Sequence, residues 1–319
     1  MIPPAFRVGV VGARRVRQGT GEHLARLFHA AGARVVAVCG TSEGTATEAA
    51  EALRERHGIS ATPYPDLDTM IAKGKLHALA IASPAEAHGA ALAAALKAEL
   101  HVLCEKPLLP GLQGDEAEAR RLAEAFAKKS RLLAVTAQWR HAVPAYLLLF
   151  PDVSPRAAST FEMETGPSSE GEAMLVDSLP HAISIADALY GATEEPLKDV
   201  SVAFFAPDKA EVAFTHPGGR HGVRCRVRLA RATTMPRPMA FGFDGRLARR
   251  EAEMPAYKLK LVDVATGRSV PLQDPLEARV FEFVARVRKR GPFPPDPALV
   301  SGVARLAQLR AASNGARGA

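Results

Sequence analysis

The sequence predicts an α/β protein in two parts. A doubly wound, parallel-sheet domain is expected over residues 1–137, and an α+β domain with an open-faced, mainly antiparallel sheet over 138–319. Three observations carry this. Short apolar runs alternate with segments of helical period through residue 137, as parallel strands covered on both faces require. Beyond that point the period becomes two, clearest in "GVRCRVRLA" (222–230), where Arg224, Arg226 and Arg228 alternate with Val223, Cys225, Val227 and Leu229. Two amphipathic segments, 274–291 and 297–313, then close the chain and are expected to be helices that pack back on the first domain.

Composition narrows the classes further. A chain of 319 residues can bury two cores, and 47% hydrophobic with 6% aromatic residues fits a globular protein. The net charge of +7 comes from scattered arginines rather than a basic, aromatic-interleaved segment, so nucleic acid is not the expected partner. No apolar run approaches the roughly 18 residues of a membrane span, and "MIPPAF" lacks the features of a secretory leader. Cys39, Cys104 and Cys225 are isolated, which predicts reduced, buried thiols and a cytoplasmic location. The ten histidines are dispersed, and no metal is expected.

In chain order, residues 6–11 read as the first strand and "EHLARLFHAAG" (22–32) as a helix. "ARVVAVCG" (33–40) is the second strand, and "ATEAAEALRERHG" (46–58) a helix closed by Gly58. "LHALAIAS" (76–83), "LHVLCEKP" (100–107) and "RLLAVTAQ" (131–138) are further strands, separated by helices over 85–99 and about 114–129. The second part reads as one helix near 174–190 and strands at 201–207, 211–217, 222–230, 239–245 and 257–264. Pro180 within that helix argues for a start only about there. The arginine row is expected to be solvated or to meet another subunit, with an acidic ligand as the minor alternative.

Between the first strand and helix, Gly12 opens a G-x-G-x-x-G pattern that then fails, because Arg14 and Arg17 occupy the second and third glycine places. Gly19 and Gly21 follow, as though the loop were lengthened. Amides from that stretch still suit a phosphate, and Arg14, Arg15 and Arg17 would add permanently charged clamps.

Further along, "SPAEAHGAALAAALKAELHVLCEKPLLP" (83–110) ends two successive strands at one sheet edge, the first with Ser83-Pro84 and the second with Glu105-Lys106-Pro107. Together with "QWRHAVP" (138–144) and "DSLPHAISIADALYG" (177–191), these motifs resemble the Gfo/Idh/MocA oxidoreductases, in order and spacing over about residues 6–190. The resemblance implies a Rossmann first domain, NADP or NAD as cofactor, a sugar, cyclitol or related small polyol as substrate, and a homodimer or homotetramer. It implies that His181 exchanges the hydroxyl proton, that Lys106 polarises the oxygen or relays the proton, and that Asp177 positions substrate and histidine.

The residues alone leave alternatives. Lys106 at a strand end suits proton transfer, or is an exposed turn lysine. Glu105 reads as structural, positioning the lysine, and His88 as structural or cofactor-adjacent. Asp177 and His181 share a helix face at i,i+4 if the helix is continuous; otherwise Asp177 is a cap and His181 a core residue. After the second strand, Gly40, Thr41 and Ser42 stand where an NAD-selective site offers an acid, which favours NADP, with Glu43 the acid that opposes this. The broken glycine pattern also admits a diverged protein that binds a nucleotide or small ligand without transforming it.

Overall fold

A computed structural model describes residues 6–14, 19–219, 222–254 and 257–315. They gather into two units. One comprises the residues up to 109 with 118–136 and 277–299, the other 110–117, 137–276 and those from 300 onward.

The first unit alternates strand and helix: β1 (Arg7–Val11), α1 (Thr20–Ala30), β2 (Arg34–Cys39), α2 (Glu43–His57), β3 (Thr62–Tyr64), α3 (Leu67–Gly74), β4 (Ala78–Ile81), α4 (His88–Lys97), β5 (His101–Cys104), α5 (Asp115–Lys128) and β6 (Leu133–Val135). Its strands form one parallel sheet in the order β3-β2-β1-β4-β5-β6, the doubly wound arrangement expected. Strand order reverses between β1 and β4, so the switch point lies at the carboxyl ends of those strands, where open α/β sheets bind ligands. Val8, Val10, Leu79, Ile81, Val102 and Leu103 are wholly buried, as a sheet covered on both faces demands. The short β3 and α3 lack a usable period and were not legible in the sequence.

The second unit contains α6 (Val143–Leu149), β7 (Thr160–Thr165), α7 (Ala173–Tyr190), β8 (Lys198–Ala206), β9 (Lys209–His216), β10 (Val223–Ala230), β11 (Met239–Phe243), β12 (Arg246–Glu253), β13 (Lys258–Asp263) and β14 (Ser269–Leu272). These eight strands form a sheet in the order β14-β13-β12-β11-β7-β10-β9-β8, antiparallel at every pairing except β7 with β10. Its apolar face, with Phe161, Met163, Phe214, Val227, Phe241 and Phe243, packs in one core with Leu175, Leu179, Ala182 and Ile183 of α7 and Tyr146 of α6. The opposite face carries charges. Arg228 reaches Glu162, Glu164 and Glu211 at 3.1–3.4 Å, so the arginine row is largely neutralised by neighbouring strands.

The chain closes with α8 (Pro275–Lys289) and α9 (Pro297–Gly315). Within the first unit, Phe283 of α8 meets Phe28 of α1 edge-on at 5.8 Å. The buried Arg279 donates from Nε to the carbonyl of Val135 at 2.8 Å.

One expectation is corrected. Pro180 does not start a helix: α7 runs unbroken from Ala173 with Pro180 inside it. The missing N–H costs one intrahelical bond, but the row of fully buried residues from Met174 to Ala186 anchors both sides of the proline, and packing outweighs the local penalty. The three cysteines are free and buried, with Cys39 and Cys104 in the first unit and Cys225 in the second.

Candidate active site

At the switch point of the first unit, Gly12 turns the chain out of β1 with φ +79°, and a Cβ there would lie 2.8 Å from the carbonyl oxygen of Ala82. Helix α1 starts at Thr20, earlier than its apolar period shows, with Gly19 as its left-handed cap. Gly21 therefore lies inside the helix, not in the loop. A Cβ on it would fall 2.2 Å from the oxygen of Gly12, so Gly21 has the close-packing role of the fingerprint's third glycine, four positions later than the pattern places it. Among the described residues no side chain caps α1, and its first amides are suited to an anion. Arg15 and Arg17 lie outside the described residues. Arg14 pairs with Glu48 of α2 at 2.7 Å, an ion pair half-exposed on both sides and weakly held.

Beyond β2, Gly40 excludes any side chain, since a Cβ would sit 2.4 Å from Thr45 Oγ1. Ser42 caps α2 reciprocally with Thr45: Ser42 Oγ accepts from Thr45 N at 3.3 Å, and Thr45 Oγ1 accepts from the amides of Thr41 and Ser42 at 3.0 Å. The Ser42 hydroxyl is thus already engaged, whereas Thr41 is exposed. Glu43 is exposed in the first helical turn.

The ends of β4 and β5 are tied together. His88, fully buried behind Ser83-Pro84, has Nε2 2.9 Å from the Ser83 carbonyl oxygen and Nδ1 2.8 Å from that of Pro107. The Lys106–Pro107 peptide is cis. Thr136, buried at the end of β6, donates its hydroxyl to Glu105 Oε2 at 2.7 Å and accepts the Lys106 amide at 3.2 Å. Glu105, Thr136 and the backbone of Lys106 thus form one chain of hydrogen bonds. Sequence reading missed Thr136; its only signal is a hydroxyl residue ending a strand at the same sheet edge as Ser83 and Lys106.

These features fit a dinucleotide. Gly12 permits close approach at the switch point, α1 presents an open N-terminus, and Ser83 Oγ is buried without a hydrogen-bond partner among the described residues.

In the second unit, the continuity of α7 puts Asp177 and His181 one turn apart on a partly exposed face. Asp177 Oδ2 accepts from the Ser168 amide at 3.4 Å and faces the Arg237 guanidinium at 3.5 Å. Trp139 stands edge-on to His181, with ring centres 6.4 Å apart, and the Arg250 guanidinium lies 5.7 Å from the Trp139 ring centre. Sequence reading named neither arginine, because nothing in the spacing of "MPRPMAFGF" or "RLARREAE" sets them apart.

A switch-point glycine between β1 and α1 and a parallel sheet in this order define a Rossmann-type domain. Residues 6–137 match the profile GFO_IDH_MocA, described as "Oxidoreductase family, NAD-binding Rossmann fold". Through this region the chain is similar to the Gfo/Idh/MocA oxidoreductases. It is 38% identical over 121 residues to inositol 2-dehydrogenase of Leifsonia xyli subsp. xyli, a match covering 38% of this chain and 32% of that one. The matched region thus spans about a third of the length of that relative. The whole fold resembles UDP-N-acetylglucosamine 3-dehydrogenase GnnA from Acidithiobacillus ferrooxidans, with a TM-score of 0.69 and 22% identity over 97% of each chain. It also resembles a 3-ketoreductase from Actinomadura kijaniata in complex with NADP, with a TM-score of 0.70 and 17% identity over 97% of each chain.

Proposed function

We propose that this protein is an NAD(P)-dependent oxidoreductase that moves hydride between the cofactor, preferably NADP, and a carbinol carbon of a sugar, cyclitol or related small polyol. The observation that carries this reading is the uninterrupted α7. It keeps Asp177 and His181 on one face in a chain whose Rossmann sheet carries Lys106 two residues beyond the end of β5. The named relatives, an inositol dehydrogenase and a nucleotide-sugar dehydrogenase, act on alcohols of the same class.

In this reading residues 1–137 bind the dinucleotide and 138–319 hold the substrate. The cofactor supplies hydride chemistry. Lys106 Nζ polarises the substrate oxygen; the Lys106 backbone is fixed by its amide donating to Thr136 Oγ1, which in turn donates to Glu105. His181 takes or returns the hydroxyl proton, and Asp177 orients it. NADP is preferred because Gly40 leaves no room for a carboxylate beside the ribose, and because the Arg14–Glu48 pair is weak enough to yield its arginine to a 2′-phosphate. A cytoplasmic location accords with the free thiols, and a homodimer or homotetramer with the open sheet face.

The test is a titration of NADPH and NADH followed by a hydride-transfer screen over neutral and acidic polyols. Tighter NADPH binding with turnover is the expected result. Equal or reversed affinities overturn the NADP preference. Nucleotide binding without turnover on any polyol favours a protein that binds without transforming.

A further inference from the structure

Strand β12 sends alternate residues to opposite faces. Ala248 is buried on the face shared with α7, and Arg250 follows it at the same parity, so a guanidinium stands on the otherwise apolar side. It lies over Trp139 and donates to the Arg237 carbonyl. Burial lowers its pKa below the ordinary arginine value, the mark of a cation short of solvation. Among the described residues no carboxylate lies within ion-pairing distance of it; Asp274 and Tyr257 act on its charge only at longer range, and Asp177 faces Arg237.

Other polar groups nearby are also unanswered. Arg250 Nε, Thr165 Oγ1 and Ser169 Oγ are buried with no hydrogen-bond partner among the described residues. All three belong to segments that meet at the Asp177–Arg237 pair. Arg250 bonds Arg237, Thr165 pairs across the sheet with Met239, and Ser168 donates to Asp177. Buried polar groups are ordinarily paired, so three unanswered ones, one of them on a guanidinium with no carboxylate in ion-pairing distance, describe their ligand.

We propose that the substrate held by this face is a polyol bearing a carboxylate, a sugar acid, and that Arg250 receives the carboxylate while Thr165 and Ser169 bond its hydroxyls. The planar guanidinium edge pairs with a carboxylate bidentately, and one cation balances a singly charged carboxylate but leaves a second negative charge of a phosphate unbalanced. The inference rests on the reading that α7 lines the substrate site, and it narrows the substrate class.

Trp139 is the sole tryptophan, so its fluorescence reports on this place alone. The experiment titrates D-glucuronate, D-glucose and D-glucose 6-phosphate into the full-length protein, following Trp139 emission with calorimetry in parallel. D-Glucuronate is expected to bind at least about tenfold more tightly than either of the others. In Arg250→Gln that preference should vanish, and in Arg250→Lys it should weaken but persist. Equal affinities in the wild type overturn the proposal, as does a preference for the phosphate or one that survives Arg250→Gln. If the glutamine variant fails to fold, the wild-type comparison still decides. Binding needs no turnover: a glucuronate preference without hydride transfer on any polyol rejects the dehydrogenase reading alone, and turnover of neutral polyols without that preference rejects this inference alone.

Discussion

Helix α7 carries two clusters with the same ingredients, an aspartate, a histidine and an arginine, built to opposite ends. At Asp187 both carboxylate oxygens are answered. His216 Nε2 donates at 3.0 Å, Ser301 Oγ donates at 2.7 Å, and the Arg305 guanidinium closes an ion pair, all of it buried. Ten residues earlier, Asp177 is partly exposed, accepts from the Ser168 amide at 3.4 Å and faces Arg237 at 3.5 Å, and in the segments that meet there Thr165 Oγ1, Ser169 Oγ and Arg250 Nε are buried without a hydrogen-bond partner among the described residues. Residue types therefore do not separate a scaffold pin from a binding face. Burial and the neighbouring polar atoms do, since a saturated buried network rigidifies while buried polar atoms left unanswered suit a ligand.

The largest expected effect follows from emptying the closed cluster. Asp187→Ala strands Arg305 in the interior and should cost about 3–5 kcal/mol in denaturant unfolding, whereas Asp177→Ala, breaking a part-exposed pair, should cost about 1 kcal/mol or less. Equal losses would dissolve the contrast. Kinetics should invert it: His181→Ala is expected to lower kcat by about 10²–10⁴ with an unchanged unfolding midpoint, while His216→Asn should destabilise the fold and spare the turnover of folded molecules.

Acid sharpens the comparison next. Burial pushes His216 down to about 4, because Arg305 already matches the Asp187 charge and leaves the imidazole neutral. The Gly218 amide donates to His216 Nδ1 at 3.0 Å, so the proton sits on Nε2, facing Asp187. Between about pH 6.5 and 4 the unfolded chain binds a proton that the folded chain refuses, so stability is full above this window and falls as pH drops through it. The share from His216 is on the order of 3 kcal/mol. It should disappear in His216→Asn, leaving the similar slope from His101, which burial also holds near 4. Within the closed cluster the smallest loss is expected for Ser301→Ala, which removes one donor to the buried carboxylate and should cost about 1.5–3 kcal/mol of unfolding free energy with unaltered KM.

Legibility followed period and pairing distance. Apart from β3, the strands from Arg7–Val11 to Leu133–Val135 announced themselves by continuous apolar runs, and β10 by strict alternation. β7, β12 and β14 did not: "TFEMET" and "RLARREAE" mix charge with apolar residues because their outer faces join the Arg228 and Glu251 charge ladders. Lys106, Asp177 and His181 stood out through motif spacing. Thr136, Arg237 and Arg250 did not, because their significance arises only when β6, β11 and β12 bring them beside residues 30 to 111 positions away. Pro180 misled because a local rule met a helix whose burial overrides it.

The three free cysteines give the molecule its own clocks. Burial raises the Cys39 thiol to about 11 and the Cys225 thiol to about 12, and moves Cys104 upward as well, so none offers thiolate to a reagent while its unit stays closed. Alkylation of Cys39 or Cys104 therefore times the opening of the Rossmann sheet, and alkylation of Cys225 that of the eight-stranded sheet. Mass spectrometry of one labelling reaction can thus time the breathing of each unit separately, without a single engineered residue.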